Sequence, residues 1–171
     1  MAMKKVAILL LLLMSKDSFS QETGAVIVPS LSYPQVIFDS DTCCWRKLTA
    51  SGKYHEAAEL MVLYLHSRNA SNKHALYWHT GQMYAMAHEY ELATKYFKKT
   101  YAKVYLWFGD SDAKTWYYYA RGTVAFIKED RKVLDKVIQT WSHKFPPDKN
   151  YNALLKLNAH WGDDYEIILE N

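Results

Sequence analysis

The chain contains few of the residues that interrupt regular secondary structure. Only four prolines and six glycines occur among its 171 residues, which favours a small number of long elements. No alternating apolar and polar run bounded by turn residues is present, so a β-sheet is not predicted. Hydrophobic residues make up 50% of the chain, which is enough for one domain with a substantial core.

Long apolar runs are also scarce, and the one prominent run lies near the N-terminus. Residues 1–20 combine Lys4 and Lys5, the apolar run VAILLLLLM and small residues ending in Ser18-x-Ser20. A transmembrane helix needs about 20 apolar residues, whereas this shorter layout is typical of a secretory signal peptide. We therefore expect cleavage after Ser20, export to the periplasm, cell envelope or medium, and a mature chain without a stable membrane span.

The chain lacks an excess of charge of one sign. Residues 1–20 contain three of the 21 basic residues and one of the 18 acidic residues, so the remainder is nearly neutral. A nearly neutral chain offers no general electrostatic attraction to a nucleic acid backbone. The sequence therefore predicts no nucleic-acid partner.

Cysteine occurs only as the adjacent pair Cys43-Cys44. Redox-active pairs normally have two residues between the cysteines, as in C-x-x-C. We interpret the pair as two small, largely buried residues at the start of a helix. A strained disulfide in an oxidising compartment is the alternative, and the sequence leaves the redox state open.

Motifs of catalysis and metal binding are missing. The histidines form neither H-x3-H nor H-E-x-x-H, and no G-x-S-x-G occurs. The carboxylate pairs in GDSD and GDD stand at predicted helix starts, where they are expected to cap. The sequence therefore predicts a protein that is not an enzyme and that has no catalytic residue, metal site or cofactor.

From residue 39 onward the sequence has a helical character with regularly spaced breaks. Residues 21–38, which contain Pro29 and Pro34, are predicted to form an extended lead-in that lies against the domain. Asp, Asn or Ser precedes each later helix and can accept the free N–H groups of its first turn. Tight and longer connections alternate, which predicts four helical hairpins. The predicted helices cover residues 42–50, 54–67, 73–88, 89–105, 113–127, 132–145, 151–161 and 165–171.

Aromatic and small residues recur at a regular spacing. Tyr54 and Tyr90 are 36 residues apart, Tyr165 follows after 75 more, and each opens the second helix of a hairpin. The stretch LYWHTGQMYAMAHEYELATKYF (residues 76–97) resembles the tetratricopeptide repeat (TPR), W-x2-L-G-x2-Y…A-x3-F…P. The resemblance covers roughly residues 39–170, is strongest in the second hairpin and is weak at both ends. The repeat-defining residues are Tyr77, Gly81, Tyr84, Tyr90, Ala93 and Phe97 in the second hairpin, and Gly122 and Pro146 in the third.

The resemblance implies an all-α fold for residues 39–171. It implies a right-handed superhelical array, or α-solenoid, of about four antiparallel helical hairpins. Proteins of this family are scaffolds that bind a peptide or partner protein on a concave face lined by the first helices. The residues expected on that face are Arg46, Trp78, Gln82, Met86, Trp116, Tyr119, Thr123 and Phe126.

Three functions remain open for this aromatic face. An aromatic groove suits apolar peptide anchors and predicts an exported scaffold for protein–protein interaction. The same rings could instead stack on glycan or peptidoglycan sugars, or the chain could be a structural subunit of an envelope assembly. Several of the aromatic residues could also be buried against the lead-in or a neighbouring repeat. The identity of the partner and the oligomeric state are not specified by the sequence.

Overall fold

A computed structural model describes residues 29–165. The predicted signal peptide, residues 21–28 of the lead-in and most of the predicted last helix lie outside the described residues. All regular secondary structure within residues 29–165 is helical. The helices are α1 (Gln35–Phe38), α2 (Cys44–Thr49), α3 (Tyr54–Tyr64), α4 (Lys73–Met86), α5 (Tyr90–Phe97), α6 (Tyr105–Phe108), α7 (Ser111–Ile127), α8 (Arg131–Lys144) and α9 (Lys149–Ala159), with a 3-10 turn at Lys98–Thr100.

The predicted helices between residues 42 and 161 are confirmed, but the fourth of them, which is α5 in the structure, is much shorter than expected. It ends at Phe97, where the Thr100 hydroxyl donates to the Phe97 carbonyl at 2.8 Å. The backbone then becomes extended at Tyr101, with φ −147° and ψ 148°. The hydrogen bond from the Thr100 side chain thus takes the place of a backbone hydrogen bond that would continue the helix. The freed segment forms the additional helix α6.

The lead-in was expected to be extended, whereas its described part contains the helix α1. Pro34 precedes this helix with φ −55°, a value that the proline ring favours at a helix start. Phe38 stacks on Tyr64 of α3 at a centroid distance of 3.7 Å. The Tyr64 hydroxyl donates to the Tyr33 carbonyl at 2.7 Å. Residues 33–38 therefore lie against the helical domain.

The helix caps expected from the sequence are observed at four helix starts. The side chains of Asn72, Asp110, Asp130 and Asp148 accept the N–H group three residues later, at distances of 2.8–3.1 Å. The expected side-chain cap is absent at α2, α3 and α5, which are preceded by Cys43, Lys53 and Glu89. Cys43 and Cys44 form a vicinal disulfide, which was the alternative interpretation of the pair.

The turns inside the hairpins share one backbone conformation. Gly52, His88 and Glu129 each have φ between 55° and 70°, the left-handed region. In each turn the next residue donates its N–H group to the carbonyl five residues earlier. These bonds join Lys53 to Leu48, Glu89 to Tyr84 and Asp130 to Ala125, at 2.8–2.9 Å. This is the Schellman end of a helix, and its recurrence shows that the hairpins are locally equivalent.

Small residues permit close helix packing within the hairpins. A Cβ on Gly81 would lie 2.7 Å from the Phe97 ring, and Ala93 is fully buried. Tyr84 of α4 stacks on Tyr96 of α5 at 5.4 Å. Trp78, early in α4, contacts Phe97 at the end of α5, and a short turn joins the end of α4 to the start of α5, so the two helices run antiparallel. Gly122 of α7 instead permits close packing against α9 of the following hairpin as well as against α8 of its own. A Cβ there would lie 2.6 Å from Leu154 and 3.3 Å from Val137.

The first helices of successive hairpins lie beside one another and run in the same direction. Trp45 of α2 stacks on His79 of α4 at 5.2 Å, and Thr49 contacts Met83 one turn later. His74 of α4 contacts Trp116 of α7 at 5.1 Å, and Trp78 contacts Tyr119 at 5.0 Å. We call the surface formed by α2, α4, α7 and α9 the first-helix face. In the described part of the chain, no helix combines the length and apolar character that a bilayer crossing needs.

Candidate binding cleft

An open cleft of about 620 Å³ lies on the first-helix face. It is formed where the N-terminal turns of α4, α7 and α9 come together. We call it the aromatic cleft. Its lining consists of His74, Ala75, Trp78, His79, Asp112, Thr115, Trp116, Tyr119, Asp148, Lys149 and Asn150.

Three aromatic rings form the floor of the aromatic cleft. The Trp78 ring lies 4.8 Å from the Trp116 ring and 5.0 Å from the Tyr119 ring, measured between centroids. Trp116 and Tyr119 are 5.6 Å apart in an edge-to-face arrangement. Trp78 comes from the second hairpin and the other two rings from the third. The floor therefore exists only when the two hairpins are packed together.

One backbone carbonyl fixes the orientation of two rings in the cleft. The indole N–H of Trp116 donates to the Thr100 carbonyl at 2.9 Å, and Nε2 of His74 donates to the same oxygen at 2.8 Å. Thr100 is itself fully buried. Because the indole N–H is already bonded, Trp116 offers a ligand its ring surface and not a hydrogen bond. Trp78 packs in addition on Phe97 at 4.6 Å.

Polar groups of both signs surround the aromatic floor. Asp112 lies exposed in the first turn of α7. Asp148 accepts the Tyr151 N–H at 2.8 Å and so caps α9. Lys149 adds a donor. A ligand in the cleft would thus meet apolar rings below it and hydrogen-bonding groups at the edge.

Burial favours the neutral forms of Tyr119 and His79. Burial raises the pKa of the Tyr119 hydroxyl to about 12. Burial also lowers the pKa of His79, and the nearby Arg46 charge acts in the same direction. Nδ1 of His79 is placed to donate to Oε1 of Gln82 at 2.8 Å. The floor therefore carries no charge at neutral pH.

The C-terminal part of the described chain covers the other half of the first-helix face. The Tyr165 side chain is almost fully buried, its ring lies 6.4 Å from the Phe97 ring, and the Gln82 amide donates to its hydroxyl. Trp161 lies edge-on to Phe126 at 5.7 Å. The Tyr90 hydroxyl donates to Asp164 at 3.2 Å. Residues 161–165 therefore close the groove at the C-terminal ends of α4 and α7.

The structure separates the residues expected on the concave face into two groups. Trp78, Trp116 and Tyr119 line the aromatic cleft. The other five do not line it, which corrects the expectation of one long exposed groove. Gln82 and Phe126 lie beneath residues 161–165, Met86 and Thr123 are buried, and Arg46 lies over Trp45 at 4.3 Å. The physical reason is that the chain buries its own apolar residues on half of this face.

Several cleft residues were not singled out from the sequence as binding residues. Asp112 and Asp148 stand in motifs that were interpreted only as helix caps, and His74 was considered only for metal binding. The signal that could have found them is their position near the N-terminal ends of first helices. Asp112 lies close to Trp116 along the chain, and Asp148 lies at the start of the next hairpin. Residues 29–165 contain no group of three or more side chains able to hold a metal ion.

The geometry suits binding by shape, ring contact and edge hydrogen bonds. The Trp116 indole N–H and the His79 Nδ1 group are already paired within the protein.

Comparison with protein-family models, with curated proteins and with solved structures gives no match for this chain.

Proposed function

We propose that this chain is an exported TPR-like helical-repeat scaffold that binds a peptide or partner protein in the aromatic cleft. The observation that carries the proposal is the aromatic floor of Trp78, Trp116 and Tyr119 in an open cleft. Aromatic side chains in a concave, partly desolvated setting are the usual anchors of protein recognition. The function proposed is non-catalytic.

The assignment to a TPR-like solenoid is supported by the equivalence of the hairpins. Three turns use a left-handed residue and the same hydrogen bond, and successive first helices run in the same direction. Such hairpins cannot bury their apolar faces alone and stack on their neighbours. A superhelical array of this kind exposes a face of first helices, which is where the aromatic cleft lies.

The expected ligand is an extended or helical peptide with at least one bulky apolar side chain. That side chain would rest on the Trp116 ring, which is only partly buried. Asp112 and Asp148 would accept hydrogen bonds from the peptide backbone or from a basic side chain. The cleft is wide enough for one or two anchor side chains, so the affinity is expected to be moderate.

A peptide library displayed on phage provides the test, with the folded protein as bait. We expect enrichment of peptides with an aromatic or aliphatic anchor, and at least a tenfold loss of affinity in Trp116→Ala, or about 1.4 kcal/mol. Trp107→Ala is the matched control because Trp107 is exposed and lies outside the cleft lining. Equal peptide binding by Trp116→Ala and the wild type would refute the cleft as the binding site.

A glycan ligand is the second candidate, because a ring surface beside carboxylates and an amide is also a suitable site for a sugar. Trp116 supplies the ring, while Asp112, Asp148 and Asn150 supply the polar groups. Soluble peptidoglycan and chitin fragments should quench tryptophan fluorescence in the wild type and not in Trp116→Ala. If no fragment of the panel quenches the fluorescence, the glycan candidate is refuted and the peptide remains the proposed ligand.

Export is proposed from the N-terminal sequence alone. We expect that the protein recovered from cells begins at Gln21 and is found in the exported fraction. N-terminal sequencing of the recovered protein measures this directly. A protein that retains Met1 and stays with the cytoplasmic fraction would contradict export without affecting the cleft proposal.

A further inference from the structure

Three large apolar side chains project from a short segment, residues 104–108, that precedes α7. Trp107 is 72% exposed, Phe108 is 85% exposed and Val104 is 46% exposed. Every other tryptophan and phenylalanine within residues 29–165 is buried or partly buried. We call Val104, Trp107 and Phe108 the aromatic tip. Exposure of aromatic rings on this scale is unusual unless they bind something.

The aromatic tip is held in place by its inward-facing neighbours. Leu106 packs against the core, and Tyr101 contacts the Tyr117 ring at 5.6 Å. Gly109 then ends α6 in a tight turn, where an added Cβ would lie 2.5 Å from the Tyr105 carbonyl. The step from Gly81 to Gly122 is 41 residues, longer than the 36 residues between Tyr54 and Tyr90. The tip therefore belongs to an insertion that the hairpin packing does not require.

Basic side chains flank the aromatic tip on two sides. Lys98, Lys103 and Arg121 line a depression of about 420 Å³ beside Tyr101. Lys114 and Lys144 line another, of about 560 Å³, that also includes Trp107. In the part of the chain that the structure describes, none of these five side chains forms an ion pair.

Two exposed carboxylates, Asp110 and Asp112, lie close to the tip along the chain. Asp110 accepts the Ala113 N–H at 2.8 Å and caps α7. Asp112 lines the aromatic cleft. Both carboxylates keep their negative charge, but the five basic side chains outnumber them, so the surface around the tip is positive on balance.

We propose that the aromatic tip docks on the surface of a membrane that contains anionic lipids. Trp107 and Phe108 would enter the boundary between headgroups and acyl chains, where aromatic rings are favoured. The flanking lysines and Arg121 would meet the negative headgroups, and each basic residue near such a surface adds attraction. The docking is peripheral and leaves the aromatic cleft accessible.

The positive charge around the aromatic tip favours a membrane over a second copy of the chain as its binding partner. Two copies that met through the tip would bring two basic surfaces together, which is unfavourable. Three exposed side chains also provide far less area than the roughly 800 Å² per partner of a standard interface. A bilayer surface needs no matching partner residues and supplies the opposite charge.

The experiment is co-sedimentation of the protein beginning at Gln21 with lipid vesicles. This form removes the apolar run of residues 6–14, which could bind lipid by itself. One set of vesicles contains phosphatidylcholine only, and the other contains phosphatidylcholine and phosphatidylglycerol. We expect at least tenfold stronger binding to the anionic vesicles, and loss of most of that binding in 0.5 M salt, because salt screens surface charge.

Two variants separate the tip from nonspecific lipid binding. Trp107→Ala/Phe108→Ala should weaken binding to anionic vesicles at least tenfold, while circular dichroism shows an unchanged fold. Leu63→Ala/Leu155→Ala removes two other exposed apolar side chains and should bind as the wild type does. Equal binding by the tip variant and the wild type would overturn the proposal, as would equal binding to both kinds of vesicle. A concentration-dependent dimer abolished by the tip variant would assign the surface to a second copy and would also overturn it.

Discussion

At the residue scale, the contact between Gly81 and the Phe97 ring decides how closely α4 and α5 approach. An added Cβ would lie 2.7 Å from the ring, and Phe97 is fully buried against Trp78. Glycine within a helix is less favourable than alanine by about 1 kcal/mol. Close packing with the ring must offset that cost, and the ring has little room to move.

Gly81→Ala is therefore expected to destabilise the protein despite the better helix propensity. Overpacking costs about 1–3 kcal/mol, so we expect a net loss of up to about 2 kcal/mol, measured by urea unfolding. In the Phe97→Leu background, where the ring is absent, the same substitution should be neutral or stabilising. Additive effects of the two substitutions in a double-mutant cycle would contradict a direct contact.

His79 gives the stability of the fold a defined dependence on pH. Burial lowers its folded-state pKa below the reference value of 6.5, with a smaller contribution from Arg46. The hydrogen bond to Gln82 and the charge of Asp39 oppose this only in part. A lowered folded pKa means that the unfolded chain binds more protons. Stability is then fully present above about pH 6.5 and decreases as the pH falls toward the folded pKa.

We expect the wild type to lose stability between pH 7.5 and pH 5.5 relative to His79→Gln. Urea unfolding at the two pH values measures the difference. His55→Gln is the matched control with the opposite sign, since the hydrogen bond to Glu89 raises the pKa of His55. An identical pH response of His79→Gln and the wild type would contradict the assignment.

At the scale of elements, a left-handed residue in a hairpin turn costs conformational free energy, and a substitution to glycine could reduce that cost. Glu129 joins α7 and α8 with φ 55°, a conformation that costs a side-chain-bearing residue about 1–2 kcal/mol. Glycine adopts this conformation without that cost but loses more backbone entropy on folding. The corresponding residue of the first hairpin, Gly52, is already glycine.

Glu129→Gly is expected to stabilise the protein by about 0.5–1 kcal/mol in thermal or urea unfolding. The control is Lys128→Gly at the preceding position, where φ is −90° and glycine has no conformational advantage. Lys128→Gly should be neutral or destabilising. Destabilisation by Glu129→Gly would show that the Glu129 side chain contributes more than the turn geometry does.

The helix α5 ends earlier than the sequence pattern predicts. The apolar and aromatic spacing continues through residue 105, yet the helix ends at Phe97. A hydrogen bond from the Thr100 hydroxyl ends it, and the Thr100 carbonyl then accepts bonds from His74 and Trp116. Termination at this point thus supplies the carbonyl that orients the rings of the aromatic cleft.

At the scale of the whole molecule, Tyr165 links the end of the described chain to the second hairpin. It is almost fully buried, hydrogen-bonds to Gln82 and contacts Phe97. An array in which each hairpin contacts only its neighbours can unfold in stages. This distant contact instead couples the last described residues to the second hairpin.

We therefore expect single-step unfolding of the wild type, with coincident changes in circular dichroism and tryptophan fluorescence. Tyr165→Ala should lose about 3 kcal/mol or more and should separate the two transitions. Tyr165→Phe keeps the ring and loses only the hydrogen bond to Gln82, so it should cost about 0.5–1.5 kcal/mol. Coincident transitions in Tyr165→Ala would rule out this coupling.

The sequence by itself determined the helical class, most helix boundaries and four of the caps, because these depend on neighbouring residues. Asn72, Asp110, Asp130 and Asp148 cap as their local sequence predicts. The spacing of small and aromatic residues likewise singled out Gly81 and Phe97, and the structure shows that these two meet between α4 and α5. Local hydrogen bonding and helical periodicity are encoded within a few residues, so they can be recognised without a structure.

Only the tertiary structure decided which half of the first-helix face is open. Trp116 and Phe126 have similar positions in the sequence pattern, yet Trp116 lines a cleft and Phe126 is covered by Trp161. That difference comes from the path of residues 161–165, which return to residues far away in the chain. Burial of this kind depends on contacts between distant segments, and the spacing of residues along one helix carries no information about them.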